Sequence, residues 1–295
     1  MEEERRAVRA ADGRRLDVLV AGPAGGLPLV FHHGTPGGLV PMPPLMTAAA
    51  ALGLRVVLYS RPGYGGSAAR PGRSVADAAA DVRAILDSLG AAEFVTAGWS
   101  GGGPHALACA ALLPGRCLAA ASVAGIAPTS ADGLAWLAGM CRENLTEFGA
   151  AQRGEAALAA FLEGQAAALA LAAPADIAEA LGGLVSAVDK AALTGDFAAF
   201  LAASFCAALS AGIAGWRDDD LAFFSDWGFG LSEAGRAAIW QGDQDRMVPY
   251  AHGAWLARQL PSARAHLLPG HGHLTLTAAC WPEILADLAD LAGGG

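Results

Sequence analysis

The stretch FVTAGWSGGGPHALACAALL, residues 94–113, places one serine between an apolar run and a helix-forming run. Phe94 to Gly98 has the short, uncharged composition of a buried strand. Pro104 to Leu113 is rich in alanine and leucine, and its proline fits the first turn of a helix. Ser100 is therefore predicted on a sharp strand-to-helix turn. We expect it at positive φ, with Gly98 and Gly102 too close to other backbone to carry a Cβ.

The chain on both sides of this turn alternates between short apolar runs and amphipathic or alanine-rich runs. This alternation predicts a mostly parallel sheet with helices on both faces. The further predicted strands are 15–21, 27–32, 55–59, 117–123, 237–241 and 264–268. The further predicted helices are 41–53, the stretch from Ser74 to Gly90, 252–260 and 276–291. No strand is predicted before Arg15.

The alternation stops in the middle third of the chain. Residues 129–235 contain only alanine-rich helical stretches and no convincing strand, so we interpret them as an insertion between a first core part, 1–128, and a second, 236–295. Within the insertion, Phe197, Phe200, Leu201 and Phe205 fall on one helical stripe. Such a stripe predicts packing against the body of the protein and is compatible with lining a substrate cavity.

Two loops after later predicted strands carry groups that could activate Ser100. The strand ending at Gln241 is followed by Gly-Asp-Gln-Asp, and the strand ending at Leu268 is followed by Pro-Gly-His-Gly-His. Sites in open parallel sheets lie beyond the carboxyl ends of the strands, so these loops should meet the Ser100 turn. Glycine makes up 39 of 295 residues, so Gly-x-Ser-x-Gly alone is weak evidence. The chain order serine, aspartate, histidine is the stronger signal.

Two further motifs support a family resemblance. His33-Gly-Thr-Pro-Gly37 follows a predicted strand, and Arg61-Pro-Gly-Tyr-Gly-Gly-Ser67 follows the next one. With the serine turn and the acid and histidine loops, the chain resembles the α/β-hydrolase superfamily over almost its whole length. It is most similar to cap-bearing, esterase- or lipase-like and epoxide-hydrolase-like members, including actinobacterial ones. Ser60 stands where the family often has an aspartate.

The resemblance implies an eight-stranded α/β-hydrolase sheet, an inserted helical cap and a role for each matching residue. Ser100 would be the nucleophile, Asp245 the acid and His273 the base, and the N–H groups of Thr35 and Gly101 would form the oxyanion hole. The Gly242-x-x-Asp spacing favours Asp245 over Asp243. His273 is favoured over His271 because it directly precedes the apolar start of the last helix.

These roles imply a serine hydrolase that cleaves an ester or lactone in a small, largely apolar substrate. Trp99, Phe200 and Phe205 are the candidate substrate-binding residues. Serine at the turn disfavours epoxide hydrolysis and haloalkane dehalogenation, for which the family uses an aspartate nucleophile. Amide or carbon–carbon cleavage, peroxyacid formation, a non-hydrolytic biosynthetic step and a silent ligand-binding protein remain alternatives. The resemblance implies no cofactor and no metal.

Composition narrows the class of partner. The net charge is −9 and no basic stripe is present, which argues against nucleic acid and anionic membranes. The uncharged stretches are broken by prolines and glycines, and the first residues lack an apolar signal core, so we expect a cytoplasmic protein. We also expect a monomer or a homodimer. The five cysteines show no metal-ligand spacing. Asp218 to Asp220 is expected to be a solvated turn or a helix cap.

Overall fold

Eight strands form one sheet in the computed structural model, which describes residues 3–260 and 262–294. The strand order is β1-β2-β4-β3-β5-β6-β7-β8. β2 pairs antiparallel with β1 and with β4, and the other neighbouring pairs are parallel. The strands are β1 (Glu3–Arg9), β2 (Arg15–Ala21), β3 (Pro28–His32), β4 (Arg55–Tyr59), β5 (Phe94–Trp99), β6 (Cys117–Val123), β7 (Ala237–Gly242) and β8 (Arg264–Leu268).

Twelve α-helices accompany the strands in the described residues. They are α1 (Pro43–Ala51), α2 (Asp77–Ser88), α3 (Gly103–Leu112), α4 (Arg142–Gln152), α5 (Glu155–Leu171), α6 (Ile177–Ala180), α7 (Ala187–Ala192), α8 (Gly195–Leu209), α9 (Ala214–Phe223), α10 (Tyr250–Gln259), α11 (His273–Ala279) and α12 (Trp281–Gly293).

The central strands are buried on both faces because successive side chains point to opposite sides of a sheet. In β3, Leu29 and Phe31 pack in a cluster with residues of α1 and α12. Val30, between them, packs in a second cluster with residues of α2 and α3. Together with the parallel pairing, these two layers confirm the predicted fold class.

The sequence failed to predict β1. Its residues Glu3 to Arg9 are mostly charged, and Val8 is the one buried residue of the strand. A sheet-edge strand with little burial has no apolar alternation to reveal it. The first described helical turn after β8 also differs from expectation, because α11 begins at His273 and not at Leu276.

Residues 124–236, all described, join β6 to β7 and contain α4–α9, which we call the intervening helices, and no strand. The predicted α8 stripe is buried throughout. No single helix of the described residues is long and apolar enough to cross a membrane. α8 and α9 together meet the length and composition criteria, but they are bent by 95°. The predicted core limits at residues 1 and 295 lie outside the described residues.

Candidate active site

Ser100 lies at the start of a 3-10 turn that joins β5 to α3, and its φ is 55°. Few non-glycine residues adopt this conformation. A Cβ placed on Gly98 would overlap the carbonyl oxygen of Gly102, and one placed on Gly102 would overlap that of His32. The glycines on either side of the serine are thus required by the close approach of three backbone segments, as the sequence predicts.

The loop after β3 lies directly against this turn. A Cβ on Gly101 would overlap Thr35 Oγ1 and come within 2.8 Å of Thr35 Cβ. Arg61 Nη2 donates to Gly34 O and to Thr35 Oγ1, both at 3.0 Å. Thr35 Oγ1 in turn donates to Asp219 Oδ2 at 2.7 Å. Thr35 and Gly101 are therefore adjacent, and the hydrogen bonds of Thr35 fix the position of its loop.

Asp219 anchors this loop from α9. Arg73 Nη1 and Tyr64 OH donate to its carboxylate at 2.6 and 2.8 Å, and Arg61 forms an ion pair with it. Burial alone would raise the pKa of Asp219, but the charges of Arg61 and Arg73 hold it well below the usual value. Asp219 is thus a buried carboxylate that neutralises arginine charge beside the site.

The structure contradicts the expectation of a solvated turn or cap at Asp218 to Asp220. All three residues lie inside α9 and are at most 3% exposed. Arg61, the partner of Asp219, is 158 residues away along the chain, so no local pattern could show that this acidic run is buried. The described residues contain no group of three or more His, Cys, Asp or Glu side chains placed to hold a metal ion.

Asp245 and His273 form a buried pair. His273 Nδ1 donates to Asp245 Oδ2 at 2.8 Å. The other oxygen, Oδ1, accepts the backbone N–H groups of Met247 (2.9 Å) and Val248 (2.8 Å), and Gln241 Nε2 donates to Oδ2 at 3.0 Å. These four bonds fix the carboxylate, so the histidine ring is held with Nδ1 protonated and Nε2 free to accept a proton.

Asp189 of α7 positions the backbone of His273. Its carboxylate accepts the N–H groups of His273 (3.0 Å), Leu274 (2.8 Å) and Thr275 (3.0 Å), the first residues of α11. Burial by itself would lower the pKa of His273, but the charge of Asp245, the hydrogen bond to it and the charge of Asp189 raise that pKa above its ordinary value. A stronger base results.

The two alternative residues have other contacts. Asp243 Oδ1 accepts the backbone N–H of Gly270 at 2.8 Å on the surface. His271 Nδ1 lies 3.8 Å from Cys280 Sγ. The structure therefore brings Asp245 and His273 together, and it gives Asp243 the role of fastening one loop to the next.

Ser100 and His273 line one cavity of about 370 Å³. No hydrogen bond joins the two side chains in the described part of the chain, and such bonds commonly tighten only when a substrate binds. Trp99 also lines the cavity, and its ring centre lies 5.6 Å from that of His273. The described residues thus present the serine and the histidine to the same cavity.

The α8 stripe contributes to the cavity only in part. Leu201 and Phe205 line it, whereas Phe200 does not and packs against Phe197, with ring centres 5.9 Å apart. The structure therefore places Phe205 but not Phe200 of the two predicted substrate-binding phenylalanines at the cavity. Leu201 and Phe205 are four residues apart and share a face, while Phe200 is turned by about 100° from Leu201.

Sequence reasoning also missed Asp189 and Asp219. Ser186 and Asp189 do carry a local signal, because Ser186 accepts the N–H of Asp189 as the N-cap of α7. The Ser-x-x-Asp spacing could have predicted that helix start. Neither carboxylate's contact with the site has a signal in the nearby sequence.

Comparison with known proteins agrees with this architecture. A family model described as alpha/beta hydrolase fold matches residues 28–277. A non-heme chloroperoxidase of Streptomyces lividans is 35% identical over 135 residues, which cover 43% of this chain and 49% of the relative, so the match spans about half the length of that protein.

Two solved structures are similar over nearly the whole chain. A carboxylesterase structure from Nitrososphaera gargenis has a TM-score of 0.69 and 17% identity, with 98% of this chain and 100% of that chain covered. Epoxide hydrolase A from Mycobacterium thermoresistibile has a TM-score of 0.69 and 22% identity, with 98% of each chain covered. The family match over most of the sequence and the shared fold lead to one conclusion: the chain belongs to the alpha/beta hydrolase fold family.

Proposed function

We propose that the protein is a serine hydrolase that cleaves an ester or lactone bond in a small molecule. The observation that carries this proposal is the placement of Ser100, at positive φ on a strand-to-helix turn, in the same cavity as a histidine bonded to a buried aspartate. A serine hydroxyl needs such a base to become a nucleophile. A second cavity, lined by Arg61 and Arg73, contains neither Ser100 nor His273.

In the proposed mechanism, neutral His273 takes the proton of Ser100 as its Oγ attacks the substrate carbonyl. The N–H groups of Gly101 and Thr35 bind the oxyanion that forms, and losing one such donor typically costs about 3 kcal/mol of barrier lowering. Asp245 stabilises the imidazolium. His273 then protonates the leaving alcohol and activates water, which releases the acyl group.

The intervening helices would act as a cap that selects the substrate, with residues 129–235 as the cap and 1–128 and 236–295 as the core. Their side chains line the same cavity as Ser100, among them Leu169, Leu201 and Phe205. An apolar wall favours apolar substituents by roughly 0.8 kcal/mol for each methylene that becomes buried. The cap would thus set the preferred chain length of the acyl or alcohol part.

Labelling with a fluorophosphonate and hydrolysis of p-nitrophenyl esters and lactones test the proposal. We expect labelling of the wild-type protein and none of a folded Ser100→Ala variant. Asp245→Asn and His273→Ala should lower kcat by orders of magnitude, and the matched changes Asp243→Asn and His271→Ala should lower it little. Hydrolysis at the wild-type rate by Ser100→Ala would refute the mechanism. Activity should rise with pH through the titration of His273, because only the neutral ring accepts a proton.

A further inference from the structure

The cavity beside Ser100 contains a second polar feature, a carboxyl pair formed by Glu147 of α4 and Asp220 of α9. Both residues line the cavity. Trp216 Nε1 donates to Glu147 Oε1 at 2.7 Å and holds this carboxylate in place. The proposed hydrolysis does not use the pair, so its presence in a mainly apolar cavity needs another explanation.

The two carboxyl groups influence each other's protonation. Burial, the charge of Glu147 and the hydrogen bond between the two groups raise the pKa of Asp220 well above its usual value. Burial also raises the pKa of Glu147, against hydrogen bonds from Asp220 and Trp216 that lower it. Two adjacent carboxylates rarely ionise together, so each group raises the other's affinity for a proton.

One acceptor of the pair has no protein donor. Asp220 is 1% exposed, and its Oδ2 atom accepts no hydrogen bond from an N–H or O–H group of the described residues. A buried oxygen in this state costs free energy unless a ligand supplies a donor. Because Asp220 lines the cavity, a bound molecule could reach it.

The charges around the cavity indicate which kind of donor group a ligand should carry. Four carboxyl side chains line it, those of Glu143, Glu147, Glu179 and Asp220, and no lysine or arginine does so among the described residues. The charge of Arg73 does act on Asp220, but its guanidinium donates to Asp219, Pro62 O and Gly215 O. A cavity of this charge attracts cations.

Aromatic rings flank the pair along α9. Trp216 precedes Asp220 by one helical turn, Phe223 follows it by one, and both rings line the cavity. Ring faces attract organic cations. Phe223 also lies next to the turn that carries the nucleophile, because its Cζ is 3.0 Å from the position of a Cβ on Gly101, the neighbour of Ser100. Asp220 thus lies three residues, or about one helical turn of α9, from a ring that borders the Ser100 turn.

We infer that the substrate carries a protonated amine, which Glu147 and Asp220 bind while its ester or lactone carbonyl lies at Ser100. This inference rests on the proposed hydrolase function and names the substrate class: an amine-bearing ester whose remaining surface is apolar. An ammonium N–H group would donate to the Glu147 carboxylate or to the unpaired oxygen of Asp220, and its positive charge would face both.

Two esters of the same shape test the inference. 2-(Dimethylamino)ethyl butyrate carries a protonated nitrogen at neutral pH where 3-methylbutyl butyrate carries a carbon. We expect kcat/KM for the amine ester to exceed that for the neutral ester by about tenfold or more, as a charge-assisted hydrogen bond implies. Glu147→Gln should reduce this ratio strongly, and Asp220→Asn, which removes the second carboxyl group, should reduce it as well. Glu163→Gln removes an exposed carboxylate from α5 outside the cavity and should leave the ratio unchanged.

Equal kcat/KM for the two esters, or a ratio that Glu147→Gln does not change, would overturn the inference while the hydrolase proposal stood. If neither ester is hydrolysed and the fluorophosphonate does not label Ser100, the hydrolase proposal fails. Binding of both esters to Ser100→Ala, followed by tryptophan fluorescence, then decides the inference alone. Tighter binding of the amine ester that is lost in Glu147→Gln supports it, and equal dissociation constants refute it.

Discussion

Replacing Asp189 by asparagine should weaken both the fold and the base. Asp189 is fully buried, and its two oxygens accept five hydrogen bonds, three from the backbone of α11 and two from the hydroxyls of Ser186 and Thr275. Asparagine offers one acceptor oxygen, so at least one buried N–H loses its partner at a cost of about 1–3 kcal/mol, and the remaining bonds lose their charge. We expect a total destabilisation of about 2–4 kcal/mol.

Calorimetry and a pH–rate profile measure the two consequences. For a chain of 295 residues the expected destabilisation lowers Tm by about 3–6 °C. The charge of Asp189 raises the pKa of His273, so Asp189→Asn should lower that pKa. The neutral base then persists to lower pH, and the rise of kcat/KM with pH should shift in the acidic direction. A purely structural role for Asp189 would change Tm without moving this midpoint.

Asp243→Asn is the matched control, because Asp243 accepts one backbone N–H on the surface. This variant should lose less than about 1 kcal/mol of stability, and its Tm should fall correspondingly little. If Asp189→Asn keeps the wild-type Tm and pH midpoint, or if the control loses as much stability, the assigned role of the α7 carboxylate is wrong.

Three further results are expected. Phe205→Ala should shift the ester preference towards longer chains, since Phe205 lines the cavity. Phe200→Ala should lower the stability of the protein without this shift. Equal chain-length profiles of the two variants in a p-nitrophenyl ester series would contradict this expectation. Burial lowers the pKa of His32 to about 3 and of His252 to about 4, so between pH 6.5 and these values the unfolded chain binds protons that the folded chain excludes. As the pH falls through this range, the free energy of unfolding should decrease by up to about 1.4 kcal/mol per pH unit for each histidine. A Tm that stays constant from pH 7 to pH 5 would exclude this effect. Ser100→Gly should be at least as stable as Ser100→Ala, because glycine relieves about 1 kcal/mol of strain at a φ of 55°. If urea unfolding gives the glycine variant a free energy of unfolding about 1 kcal/mol below that of the alanine variant, the turn is unstrained.

The sequence was sufficient for the parts of the fold that depend on local burial and turns. Apolar runs such as Arg55–Tyr59 and Cys117–Val123 are strands with the predicted bounds, because central strands are buried on both faces. The glycines around Ser100 predicted its turn, because the crowding that requires them involves atoms close in the chain.

The remaining features depend on contacts between distant segments. Whether Phe200 or Phe205 lines the cavity depends on which side of α8 faces Ser100, and a continuous apolar stripe does not specify this. The burial of Asp219 depends on Arg61 and Arg73, and the role of Asp189 depends on α11, 84 residues further along the chain. Charged residues in an apolar segment indicate that such partners exist but not where they lie.

Asp219 reaches from α9 to two arginines in loops that follow the sheet strands, so the intervening helices are not a free-standing module. A shortened chain without α9 would leave Arg61 and Arg73, which are 1% and 5% exposed, as buried cations without a counter-ion. A chimaera that takes α9 from a relative needs a carboxylate that matches these arginines. Exchange is less constrained in α5 and α6, whose side chains form no hydrogen bond to the sheet or its loops in the described part of the chain. Diversity of substrate range should therefore accumulate in α5 and α6, while α7 and α9 are inherited together with the core.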